Sequence, residues 1–239
     1  MNIFILITAG LLPAILLWFY VWKKDKQKEP TSRLLKAVLL GAATCIPVAF
    51  VEMLVELGIF GAIDYQPSTL YDTTRMAFLV AALPEEAVKL LALWLVLRKN
   101  PFFDEHYDGI VYAVCIGLGF AAVENVFYII GSQDEWATVA ISRALLAVPG
   151  HYAFAVIMGY YYSLHHFVDH STKNAVYILL IPVLAHGIYD ALAMSSMVDE
   201  TIGAICFLIL IVFCIKMHKV AKKYMLLQIE RDETHSSAV

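Results

Sequence analysis

Glu85, Glu86 and Lys89 stand together in the stretch AALPEEAVKLLALW, which otherwise reads as apolar helix. Side chains three and four positions apart share a helix face, so Lys89 can neutralise either glutamate. Two carboxylates brought together cannot both ionise easily; one becomes a base while the other keeps a proton or finds a cation. Other apolar stretches carry residues of the same kind: Glu124 and Asn125 in GFAAVENVFYI, His151 in VPGHYAFAV, and His186 with Asp190 in PVLAHGIYDAL. His186 and Asp190 are one turn apart and project from one face. Two chemistries fit this set. In one, a glutamate activates water and a histidine or neutral acid donates to the developing oxyanion, with no metal. In the other, one divalent metal, zinc by donor type, is held by residues from Glu86, Glu124, His151, His186 and Asp190, with a position left for water. Peptide-bond hydrolysis fits either.

Familiar motifs narrow the field by their absence. There is no H-E-x-x-H helix, no G-x-S-x-G elbow and no G-x-G-D string. The 4 cysteines are scattered through apolar runs without C-x-x-C spacing and read as buried small hydrophobes. His165, His166 and His170 read as a solvated interfacial cluster, Asn125 as a helix–helix hydrogen-bond residue, and Glu52 as structural or cavity-lining.

The elements that must position these groups are membrane helices. Of the 239 residues, 61% are hydrophobic and 16% charged, and mean hydropathy is +0.72; a soluble domain carries about a quarter charged residues. The expected fold is all-α, a polytopic helical bundle with about seven spans, at roughly 2–22, 35–57, 76–97, 108–131, 138–163, 175–197 and 202–217. Residues 1–217 form a single transmembrane domain and 218–239 a cytoplasmic tail, read as an interfacial helix that frays. The first span lacks a positive n-region and a cleavage site, so it reads as a retained anchor. Of 17 lysines and arginines, all but Arg75, Arg143 and Lys89 fall on the C-terminal side of this seven-span scheme. The positive-inside rule then puts the N-terminus out and the C-terminus in. No nucleic-acid partner is expected.

Three ionised groups in the span 76–97 would cost roughly 8–10 kcal/mol against about 3–7 kcal/mol from its apolar residues, so they must be partnered inside protein. At 1.5 Å per residue, Glu85, Glu124, His151, His186 and Asp190 lie about 10–20 Å from the outer end of their spans. They fall in one layer between the mid-membrane and the outer leaflet. Pro84, Pro149 and Pro182 each sit shortly before one of them, loosening the helix there. Irregular backbone at that depth is tolerated where it lines a cavity. A proton- or ion-coupled transporter would also use buried charges and broken helices, but no inverted repeat is evident.

PEEAVK is an E-E-x-x-K motif, FAAVE is F-x-x-x-E and HGIYD is H-x-x-x-D, in that order on successive helices. With FDEHYDGIVYA ahead of the second motif and the KEP exit from the first span, they resemble the PrsW family of bacterial intramembrane proteases over nearly the whole chain. That family is similar to the CAAX-prenyl and bacteriocin-processing membrane proteases. The resemblance implies a multi-pass plasma-membrane protease making the first cut in a single-span anti-sigma factor on its extracytoplasmic side. A second intramembrane protease would then act on the product during stress signalling. Carried over from the CAAX-type relatives, Glu85 is the base, Glu86 its neighbour, and His186 with Asp190 the oxyanion side; Lys89, His151 and Asn125 support them. Two positions depart from those relatives: Glu124 stands where they have histidine, and Asp190 where they have asparagine. An ionised Asp190 would repel an oxyanion, so it must be protonated, orient His186, or ligate a metal. The cofactor expectation is accordingly none or one divalent metal, with His151 the natural extra ligand.

Overall fold

The computed structural model describes residues 3–236, which are mostly helical and contain no strand. Helix α1 spans Ile3–Lys24, α2 Thr31–Ala43, α3 Cys45–Phe60, α4 Leu70–Arg75, α5 Leu83–Leu97, α6 Asp108–Gly131, α7 Trp136–Ser142, α8 Val148–Ser163, α9 Thr172–Met194 and α10 Glu200–Ser236. Wider π-helical turns join α4 to α5 over Met76–Ala82 and α7 to α8 over Arg143–Ala147, and a third, Leu164–Val168, extends α8. Among the described residues, six stretches are long and apolar enough to cross a membrane: Ile3–Lys24, Thr31–Phe60, Asp108–Gly131, Gln133–Val168, Thr172–Met197 and Glu200–Thr234. The third expected span, 76–97, lies within the continuous helical run 70–97. Glu85, Glu86 and Lys89 keep it out of that apolar set, and it is a rod whose charges are buried by its neighbours.

Local sequence explains the joints. Pro47 has no N–H for the carbonyl of Ala43 and its ring crowds that carbonyl, so the expected span 35–57 is two helices meeting at Thr44. Gly61, at φ 71°, ends α3 in the left-handed conformation that favours glycine. Pro84 and Pro149 occupy the first turns of α5 and α8, directly after the π turns. The loosening expected at Pro84 and Pro149 is thus taken up as a wider turn rather than a break, whereas Pro182 sits inside a continuous α9.

Helices α6 and α8 form the centre. About 61% of the apolar window of α6 is buried against 17% for α1, which identifies α6 as an inner helix and α1 as a lipid-facing one. Apolar side chains surround α6 on all sides, the pattern of a helix enclosed by others. Small residues let the backbones approach: a Cβ on Gly159 of α8 would lie 2.4 Å from the Gly109 carbonyl oxygen of α6. Large apolar side chains on α1, α3 and α10, such as Phe4, Ile46 and Leu208, point outward where lipid tails would lie.

The tail differs from its expectation. Helix α10 runs 37 residues, about 55 Å and well beyond a bilayer core. Its second half docks instead of fraying. Ala221, Met225 and Gln228 are buried, Tyr224 stacks on Tyr160 with ring centroids 4.0 Å apart, and Gln228 Nε2 donates to the Tyr160 carbonyl at 3.2 Å. Asp232 accepts the backbone N–H groups of His106 and Tyr107 at 2.7 and 2.9 Å, just ahead of α6.

Candidate active site

Five segments converge on one polar centre. The first turns of α5 supply Glu85, Glu86 and Lys89; α6 supplies Phe120, Glu124 and Asn125. The π turn before α8 supplies Arg143, α8 supplies His151, and α9 supplies His186 and Asp190. All of Glu85, Glu86, Lys89, Asn125, His151 and His186 are buried.

Lys89 sits at the hub. Its ammonium donates to Glu85 Oε2 at 2.8 Å, to Glu86 Oε1 at 2.9 Å and to His151 Nδ1 at 3.3 Å, and it lies 4.1 Å from the centroid of the Phe120 ring. An ammonium can only donate, so His151 Nδ1 is the acceptor and Nε2 carries the proton. That nitrogen then donates to Glu124 Oε2 at 2.9 Å. His186 faces Glu86 Oε1 from Nδ1 at 3.0 Å and Asp190 Oδ2 from Nε2 at 3.2 Å, with Glu85 Oε2 at 3.9 Å from the same nitrogen. Phe154 stacks on the His186 ring at 4.9 Å, and the His151 and His186 rings meet near a right angle at 5.2 Å. The layer foreseen from sequence depth is therefore one connected cluster.

Arg143 is the site residue that sequence reasoning left out. Its Nη2 lies 2.8 Å from Glu124 Oε2 and its Nε donates to Asn125 Oδ1 at 2.6 Å. Asn125 Nδ2 in turn reaches the Gly10 carbonyl at 3.2 Å, as expected for a helix–helix hydrogen-bond residue. The signal was present: a lone arginine inside an apolar run, ISRALLAV, needs a partner at membrane depth.

A cavity of about 470 Å³ opens beside the cluster, lined by Glu52, Glu85, Glu124, Arg143, His151, His186 and Asp190 among apolar and aromatic neighbours. Glu86 and Lys89 do not line it; they stand behind Glu85. The lining residues Glu56, Tyr128 and Met194 belong to the ends of α3, α6 and α9 that lie away from the lysine- and arginine-rich loops.

The donor set suits a divalent metal. Glu85, Glu86, His151 and His186 each offer one ligand atom, all within 4.8 Å of one another and all buried. Two carboxylates and two imidazoles match zinc-type coordination. The Lys89 ammonium lies against three of those four residues, so ammonium and metal compete for the same donors. Glu124 and Asp190 stand one layer out, bonded to the far nitrogens of His151 and His186, where such partners orient ligating imidazoles.

Membrane helices enclosing a buried Glu–His–Lys centre beside a cavity fit an intramembrane hydrolase. Comparison with known proteins agrees. The family described as "PrsW family intramembrane metalloprotease" matches residues 29–216. The chain is 37% identical over 199 residues to "Protease PrsW" of Geobacillus kaustophilus, covering 81% of each. It is 35% identical over 194 residues to that of Clostridioides difficile, covering 79% of each. Against that of Bacillus subtilis it is 35% identical over 190 residues, covering 78% of this chain and 82% of the relative. The chain belongs to the PrsW family of intramembrane proteases and is a multi-pass bacterial membrane protein. No solved structure matches it.

Proposed function

We propose that the chain hydrolyses a peptide bond in a single-span membrane protein near the extracytoplasmic face, with Glu85 as the base that activates water. The substrate class we infer is an anti-sigma factor, cut first here and then by a second intramembrane protease. The N-terminus is placed outside and the C-terminus inside, in line with the lysine and arginine distribution. One observation carries the choice of base: of the adjacent glutamates, Glu85 lines the cavity while Glu86 does not.

The roles follow from chemistry. Glu85 takes a proton from water as the oxygen adds to the carbonyl carbon, and returns it to the leaving amide nitrogen. Lys89 bridges the Glu85 and Glu86 carboxylates and fixes their positions before the reaction. Asp190 holds His186 Nε2 as an orienting partner, which answers the repulsion that an aspartate aimed at the oxyanion would cause, and His186 donates toward the oxyanion once its Nδ1 turns from Glu86. Arg143, on the cavity wall and anchored by Asn125, adds a positive charge to that side. His151 links Lys89 to Glu124 and keeps both in place. Where a divalent metal is bound, Glu86, His151 and His186 would hold it, and it would supply Lewis-acid polarisation of the carbonyl.

The test is incubation of purified protein in proteoliposomes with single-span substrates, wild type against Glu85→Gln, with product masses read out. Glu85→Gln is expected to insert and fold yet yield no product; full cleavage by that variant removes Glu85 as the base. Elemental analysis with chelation and zinc add-back addresses the metal, and chelator-resistant cleavage by metal-free protein would end that version.

A further inference from the structure

A second acidic cluster lies at the opposite end of the bundle, built from the two sequence segments the protease chemistry leaves unused. Glu29 comes from the KEP exit after α1, Asp104 from the loop between α5 and α6, and Asp108 is the first residue of α6. Each offers a carboxylate oxygen, and these oxygens lie within 4.8 Å of one another. Asp108 is fully buried and Glu29 is 7% exposed, whereas Asp104 is exposed. The group is closed on the protein side and open to water on one edge.

The buried members are short of donors. Asp108 Oδ2 accepts the backbone N–H groups of Asp104 and Glu105 at 3.1 and 2.8 Å, but Oδ1 has no hydrogen-bond partner despite complete burial. Glu29 accepts the Tyr112 hydroxyl. Nearby Asp25 is buried too, and neither of its oxygens has a partner at bonding distance; Lys28 and the amides of Glu29 and Gln27 are the favourable groups acting on it. No ion pair among the described residues reaches Glu29, Asp104 or Asp108; Lys26 pairs with Glu233 and His106 with Asp232. Buried carboxylate oxygens without donors are rare, and a metal ion is one of the few things that satisfies them.

We propose that Glu29, Asp104 and Asp108 form a binding site for a hard divalent cation, Mg²⁺ or Ca²⁺, separate from the protease centre. The donors are all oxygen, with no histidine or cysteine among them, which disfavours zinc. Three carboxylates with one open edge leave room for the waters that such cations keep. A bound ion would tie the α1–α2 junction and the α5–α6 loop to the start of α6, the helix that carries Glu124 near its other end.

The test uses the full chain in detergent, stripped of divalent ions. Calorimetric titration with Mg²⁺ or Ca²⁺, at matched ionic strength, is expected to show one saturable site and a rise in Tm with ion concentration. Asp104→Asn and Asp108→Asn should each weaken that binding at least tenfold, while Glu233→Gln and His186→Ala leave it unchanged. Asp104 is exposed, so its variant remains informative should Asp108→Asn fail to fold. Absence of saturable binding, binding indifferent to Asp104→Asn, or binding lost in His186→Ala would each overturn the proposal.

Discussion

Replacing Lys89 by methionine keeps the apolar stem and removes one ammonium, and the outcome can be worked from its contacts. The ammonium meets Glu85 at 2.8 Å and Glu86 at 2.9 Å, with the residue 3% exposed. At an effective dielectric of about 20, each contact carries roughly 6 kcal/mol of direct attraction. Most of that offsets the desolvation of three charges and is not net stability. Removing one partner of a buried pair leaves the other uncompensated, at about 3–5 kcal/mol, and the contact with the Phe120 ring adds about 1 kcal/mol. Lys89→Met is therefore expected to lower the unfolding free energy by about 3–5 kcal/mol, measured by SDS titration in mixed micelles at pH 7. Adding Glu86→Gln removes one of the two carboxylates left without the ammonium and should recover about 2 kcal/mol of the loss. A single-variant loss below about 1 kcal/mol, or a double variant no better than the single, would refute the idea that Lys89 neutralises this pair.

Other expectations follow from the same geometry. Gly159→Ala places a methyl 2.4 Å from the Gly109 carbonyl oxygen and 2.6 Å from Ile110 Cα, so α6 and α8 must part; unfolding should show a loss of about 1–3 kcal/mol. Gly58→Ala, which meets nothing within 4 Å, should leave stability unchanged or slightly raised and serves as its control. Asn125→Ala strips a buried bond from the Gly10 carbonyl and frees Arg143, for a loss of about 1–3 kcal/mol in the same assay. Arg143→Gln should slow cleavage of a single-span substrate by roughly 100-fold if the guanidinium steadies the oxyanion, with Arg143→Lys restoring only part.

Much of the site could be read before any coordinates, because a charged side chain at membrane depth advertises a partner. Glu85, Lys89, Glu124, His151 and His186 were all found that way, and they do meet. The sequence could not say which glutamate of the adjacent pair faces the cavity. That depends on the helix's rotation, which the π turn over 76–82 sets and hydropathy does not register. Arg143 was left out of the site because an arginine near the end of a span can reach water, and nothing in its own stretch says that Glu124 and Asn125 stand beside it. The docked half of α10 was missed for a related reason. Its lysines face outward while Ala221, Met225 and Gln228 supply a narrow contact strip too polar on average to stand out. Pro47 accounts for the division of the second span at Thr44, but the sequence alone could not announce it, because Pro13 and Pro182 sit inside unbroken α1 and α9.

The two π turns ahead of the site have a consequence for how such an enzyme can vary. Each inserts extra backbone into an otherwise regular rod, so gaining or losing one residue within Met76–Ala82 would swing Glu85 by about 100° around the axis with little change in apolar length. Azimuth of the reactive group and thickness of membrane spanned are thereby set by separate stretches of chain. A lineage could retune one while leaving the other alone.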